Sequence, residues 1–214
     1  MPACAGMTTG TTAMNIGEII PDFNDPIGVL ESCHRRVERH LRALTRAGRL
    51  ILVGRGGDKG VAEGLETALR YFAVAGPLHT RDEEESLIPR LRAHLKKRGG
   101  HSDYLLQHLE SDHREAEKLH TEVAALGNNL VITLRLGRPV PADHPDLAAY
   151  RRAVAELRVI YEPHILVEER DIYPAAREVL TPDEIAAIGR EMAARRGLSV
   201  TQSPVDFMRQ VGVA

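Results

Sequence analysis

Two stretches of the chain carry the same chemistry. His79-Thr-Arg-Asp-Glu83-Glu84-Glu85-Ser-Leu87-Ile88-Pro89 aligns with His164-Ile-Leu-Val-Glu168-Glu169-Arg-Asp-Ile172-Tyr173-Pro174. Both read His-x-x-x-Glu-Glu-x-x-apolar-apolar-Pro. On a helix, residues four apart lie one turn apart on the same face. His79 and Glu83 therefore project together, as do His164 and Glu168. A weaker match precedes each block, His34-Arg-Arg-Val-Glu38 against His113-Arg-Glu-Ala-Glu117. The interval from His34 to His79 is 45 residues and from His113 to His164 it is 51. The pattern predicts two helical hairpins, each giving one His from its first helix and a His-x-x-x-Glu from its second.

Imidazole and carboxylate are ligands that suit iron or manganese, and without cysteine ligands a structural zinc site does not fit. Facing helices of a bundle lie about 8–10 Å apart, room for first-row metal ions with side chains reaching from each side. Six ligands exceed the need of one ion with an open position. Two ions bridged by Glu83 and Glu168 would use all six. A lone His on an apolar stripe is more often a hydrogen-bonded core residue, so His34 and His113 gain their weight from the repeat.

The surrounding elements read as helices. Asp25-Pro26 supplies an N-cap and a first-turn proline. Ile27, Leu30, His34, Val37, Leu41 and Leu44 then mark one face of a first helix. After a Gly-rich linker from Gly54 to Gly60, a second helix is expected from about Val61 to about Lys97, kinked at Gly76-Pro77. Its stripe is Leu65, Ala68, Phe72, Ala75, His79 and Glu83. Arg98-Gly99-Gly100 reads as a turn. A third helix starts near Ser102 with Leu106, Leu109, His113, Ala116 and His120 on one face. The reading is indefinite from Gly127 to Asp146. A fourth helix carries Tyr150, Val154, Leu157, Tyr161, His164 and Glu168, with a kink expected at Pro163. Thr181-Pro182-Asp183-Glu184 is a capping box that opens a fifth helix closed by Gly197. Leu198 to Ala214 shows no clear periodicity.

Composition agrees with an all-α domain. The 214 residues are 27% charged and only 4% aromatic, which favours helix over sheet. The net charge of -2 gives no reason to expect nucleic acid or an anionic membrane as partner. Cys4 and Cys33 are the two cysteines, with no Cys-x-x-Cys, as expected in a reducing cytoplasm. No apolar run approaches membrane-spanning length. Met1 to Thr12 lacks the features of a signal peptide. The expected division is a disordered segment over 1–22, a four-helix bundle over 23–180, a C-terminal helix over 181–197 and a tail over 198–214, with Met1 and Met14 both open as starts.

The two His-x-x-x-Glu-Glu blocks ending in Pro resemble those of the hemerythrin-like (HHE cation-binding) family, over roughly Asp25 to Pro174. The resemblance implies an up-and-down four-helix bundle around a non-haem di-iron centre. Carried over by position, it makes His34, His79, Glu83, His113, His164 and Glu168 the ligands. The family's oxygen carriers use five histidines, one Glu and one Asp, with His-x-x-x-His on the third helix. Here Leu109 and Glu117 flank His113 at four residues on either side. Four His and two Glu is the set of the family's iron–sulfur repair and nitric-oxide-handling members. A ferritin-like arrangement, with Glu before His at i, i+3, does not match. The implied partner is a small diatomic or oxidant such as dioxygen, nitric oxide or peroxide. A redox or repair enzyme, a protein that senses, stores or scavenges oxygen, nitric oxide or iron, and a metal-free polar bundle all stay open, as does manganese or a mixed pair.

Around the six, Glu84 and Glu169 are expected in solvent or in contact with ligands. Tyr161 is expected in the core or as a donor to a ligand, and His120 in the core or beside the ligands. His40, His94, His101, His108 and His144 are expected at the surface or in turns. Cys33 reads as a small core residue, with a redox role open.

Overall fold

The computed structural model describes residues 21–97 and 102–213; the expected turn at 98–100, His101, Cys4 and nearly all of the 1–22 segment lie outside them. Every element among the described residues is helical. Helix α1 spans Pro26–Leu52, with Asp25 accepting a 3.0 Å hydrogen bond from the Gly28 amide. The second limb comprises α2 (Val61–Val74), α3 (Gly76–Arg81), a π-helical turn (Asp82–Leu87) and α4 (Ile88–Lys97). Helix α5 is Ser102–Arg135. The fourth limb comprises α6 (Pro145–Val167), a second π-helical turn (Glu168–Ile172) and α7 (Tyr173–Val179). Two further helices follow, α8 (Pro182–Arg195) and α9 (Pro204–Gln210).

Helices α1, α2, α5 and α6 pack in chain order, and α6 returns to α1, which closes the four-limbed ring. Two apolar cores fill it. One gathers Val37, Leu44, Leu65, Phe72, Val123 and Leu157; the other gathers Leu30, Leu87, Leu91, Leu106, Tyr173 and Met192. Each buried Leu contributes about 1.5–3 kcal/mol. His34 lies between Leu30 of one core and Val37 of the other, so the polar residues form a layer between two dry ends.

The π turns answer a feature of the spacing. His79, Glu83, Leu87 and Leu91 are all buried, as are His164, Glu168, Ile172 and Ala176. Steps of four drift about 40° each around an α-helix, so three steps would swing the last residue off the core. One wide turn per limb absorbs the drift. The Ile88 amide donates to the Glu83 carbonyl and the Tyr173 amide to the Glu168 carbonyl, each five residues back. Such turns are frequent at functional sites.

Several expectations need correction. The second limb is not one kinked helix but three α segments and a π turn, because Pro77 removes an amide and the wide turn resets the register. Pro163 lies inside α6, on its exposed side, and the helix continues through it to Val167. The apolar run at Leu130 to Leu136 continues α5 to Arg135. The tail holds α9, capped by Ser203 and Asp206. His40 is buried rather than surface and stacks on Tyr71 at 4.1 Å. His144 does lie in a turn, as expected, and caps α6, its ring accepting from the Asp146 amide.

Helix α8 lies on α1 and on the first π turn. Its capping box forms as expected, and Gly197 follows it at φ 66°. Gly189 lets it approach the chain at Phe23, whose carbonyl oxygen would lie 1.9 Å from an added Cβ. Arg195 and Arg196 reach the buried Asp82 carboxylate at 2.9 and 2.6 Å.

Replacing one partner leaves the other charge buried alone. Asp82→Asn is expected to lose about 3–5 kcal/mol of stability, measured by urea unfolding. Burial, aided by Arg39 and Arg36, lowers the His40 pKa to about 4 from an ordinary 6.5. The unfolded chain then binds the extra proton first, so this histidine costs stability as pH falls from about 6.5 towards 4. His40→Phe should remove roughly 1–2 kcal/mol of that acid sensitivity, seen as the difference between the two proteins' unfolding free energies across this pH range.

Candidate metal centre

The layer between the cores brings together all six residues of the repeated pattern. Helix α1 presents His34, α3 and its π turn present His79 and Glu83, α5 presents His113, and α6 and its π turn present His164 and Glu168. All six are buried. They form two groups, His34–His79–Glu83–Glu168 and Glu83–His113–His164–Glu168, and within each the candidate donor atoms lie within 4.8 Å of one another. Both carboxylates belong to both groups.

The contacts show how the two groups are joined. His34 Nε2 is 3.1 Å from Glu168 Oε2, and His164 Nε2 is 3.2 Å from Glu168 Oε1. Glu168 thus spans the two groups with one oxygen each. Glu83 Oε2 lies 3.6 Å from His79 Nε2 and 3.3 Å from His113 Nε2. Its other oxygen accepts a 2.6 Å hydrogen bond from the Tyr173 hydroxyl, which also lies 3.1 Å from His34 Nε2.

Three of the four outward ring nitrogens face carboxylates. His34 Nδ1 is 3.0 Å from Glu169, His113 Nδ1 is 2.9 Å from Glu84, and His164 Nδ1 is 3.2 Å from Asp112. Such bonds fix the tautomer, turn Nε2 inward and raise its basicity as a ligand. Burial disfavours charge on His34, yet Glu168 and Glu169 beside it prevail and raise its pKa to about 10. The same contest at His113, with Glu83 and Glu84 beside it, also ends at about 10. Burial works against the Glu168 carboxylate, but His164 and His34 hold its pKa well below the ordinary range.

The fit to a cation rests on atoms left without partners. Glu83 Oε2, Glu168 Oε2 and His113 Nε2 are fully buried and make no hydrogen bond of proper geometry. Buried polar atoms are nearly always satisfied, and buried anions need a counter-charge. Nitrogen and oxygen donors converging around two carboxylates fit metal ions.

Glu84 and Glu169 stand outside both groups and hold His113 and His34 from behind. His120 and Tyr161 bond each other at 2.8 Å, and the Tyr161 ring lies 6.3 Å from that of His164. Neither joins the two groups. Sequence reasoning missed Tyr173 and Asp112. Tyr173 occupies an apolar position of the motif, although its hydroxyl is available for hydrogen bonding. Asp112 directly precedes His113, and its helical face is one position away from the stripe.

Residues 25–176 match the hemerythrin HHE cation-binding domain. The chain belongs to the hemerythrin HHE cation-binding family. A protein of Haemophilus influenzae described as uncharacterized is 29% identical over 174 residues, which cover 81% of this chain and 91% of that protein. Family membership and the buried His/Glu groups agree on metal binding by this hemerythrin-like domain. No helix among the described residues is long and apolar enough to cross a membrane.

Glu84 and Glu169 are partly exposed, so their removal should spare the fold. Glu84→Ala and Glu169→Ala are each expected to weaken metal affinity by about 10–100-fold with an unchanged circular-dichroism spectrum, measured by competition with a chelator of known affinity.

Proposed function

We propose that the chain is a non-haem di-iron protein that binds or reduces a small diatomic or oxidant: dioxygen, nitric oxide or peroxide. The observation that carries this reading is that Glu83 and Glu168 each belong to both donor groups. His34 and His79 would serve one ion, His113 and His164 the other, with the two carboxylates bridging. Six protein donors over two ions leave positions for a small ligand. Bound there, an iron pair would supply one-electron redox chemistry at those positions.

The chain's own residues supply the rest. The carboxylates Glu84, Glu169 and Asp112 orient three of the imidazoles. Apolar side chains above and below exclude water, which strengthens every electrostatic contact within. Tyr173 holds a proton on its hydroxyl, directed at Glu83 Oε1. Burial raises the pKa of that phenol well above its ordinary value, and Glu168 and Glu83 add to the effect. A cleft lined by Glu38, Leu41, Arg42, Arg158, Tyr161 and Ile165 reaches Tyr161, a side from which a small molecule would approach. The unpaired, buried Cys33 suits a reducing cytoplasm.

The donor set supports chemical turnover or reversible binding alike, so the same reading extends to a carrier, sensor or store. Anaerobic loading with ferrous iron, followed by metal analysis, tests the centre itself. Two irons per chain are expected in the wild type, with loss of at least one in Glu83→Ala and in Glu168→Ala while helicity is retained. Two irons retained in Glu83→Ala would overturn the assignment. Oxidation should give oxo-bridged ferric absorption bands that shift with azide or nitric oxide. Catalytic consumption of peroxide or nitric oxide, against stoichiometric binding, separates enzyme from carrier.

A further inference from the structure

The internal repeat pairs the two halves of the centre residue by residue. His34 corresponds to His113, His79 to His164, Glu83 to Glu168 and Glu84 to Glu169. The contacts obey the same correspondence. Glu169 backs His34 as Glu84 backs His113. The register departs in chemistry at two places that touch the centre. Asp112, before His113, corresponds to Cys33, before His34. Tyr173 corresponds to Ile88.

Both departures fall on the His34–His79 side. The Asp112 carboxylate accepts from His164 Nδ1 at 3.2 Å. The equivalent atom, His79 Nδ1, is buried with no carboxylate behind it; the Cys33 thiol is the neighbour that interacts with that ring. The Tyr173 hydroxyl lies 3.1 Å from His34 Nε2, the nitrogen an ion would need, and is also bonded to Glu83 Oε1. On the other side Ile88 carries no polar atom to compete.

From this broken symmetry we propose, building on the two-metal reading above, that the two positions bind metal unequally: His113–His164 fills first, and His34–His79 is the weaker position. Two physical effects act in the same direction. A histidine without a carboxylate behind it is a poorer and less oriented ligand, an effect worth about 10–100-fold in affinity. An ion entering beside His34 must also displace the phenol from Nε2 and from Glu83. Tyr173 is thus a positioning residue that sets the difference between the positions.

The test is a calorimetric titration of metal-free full-length protein with cobalt(II), with the d–d absorption followed in parallel. Two ions binding in two steps at least about tenfold apart are expected. The tight step should vanish in His164→Ala and survive in His79→Ala. Asp112→Ala, at a partly exposed position, should weaken the tight step by about 10–100-fold and merge the two. Tyr173→Phe should leave the tight step unchanged and tighten the weak step. Two ions in one unresolved step, the reverse pattern in the histidine variants, or an unmoved tight step in Asp112→Ala would overturn the inequality while keeping the two-metal reading. A weak step unmoved by Tyr173→Phe would overturn the phenol's part, and one made weaker would overturn it by making the phenol a ligand. A total of one ion or none would bring down both.

Discussion

Two carboxylates and four imidazoles buried in the middle of a helical bundle set the terms for the rest of this structure. Glu83 and Glu168 are shut away from water, and an unpaired buried anion is among the most expensive things a fold can contain. The helices must therefore deliver cationic or metal-bound partners to the same place. The fold meets the demand with a layer in which imidazoles and carboxylates face one another across the bundle. Dry cores on either side seal it. The apolar ends hold the bundle together, and the polar layer fixes how its limbs are registered.

Much of this was legible in the residues. The two His-x-x-x-Glu-Glu blocks located the six central side chains and the two-hairpin plan, because a spacing of four on a helix is a statement about direction. Capping signals were equally direct: Asp25, Thr181 and Glu184 bond as their positions imply. The π turns were also present in the spacing, since His79, Glu83, Leu87 and Leu91 keep steps of four where an α-helix would alternate threes and fours. That departure becomes meaningful only when all four are known to be buried together.

Other features required three dimensions. Asp112 and Tyr173 act through contacts of 52 and 90 residues' separation, and neither stands out beside its neighbours in sequence. His40 lies on the opposite edge of α1 from a solvent face that composition alone cannot draw, and only Tyr71 stacked against it marks the site as interior.

The seam between Asp82 and Glu83 has a consequence for the end of the chain. One peptide bond separates a side chain clasped by Arg195 and Arg196 from a side chain at the heart of the centre. Both ride on the same wide turn. The end of α8, some 110 residues downstream, is thereby anchored one residue away from the inner carboxylate. The end of α8 and the six donors thus share one foundation, and the C-terminal addition to the bundle is built into the centre's own wall.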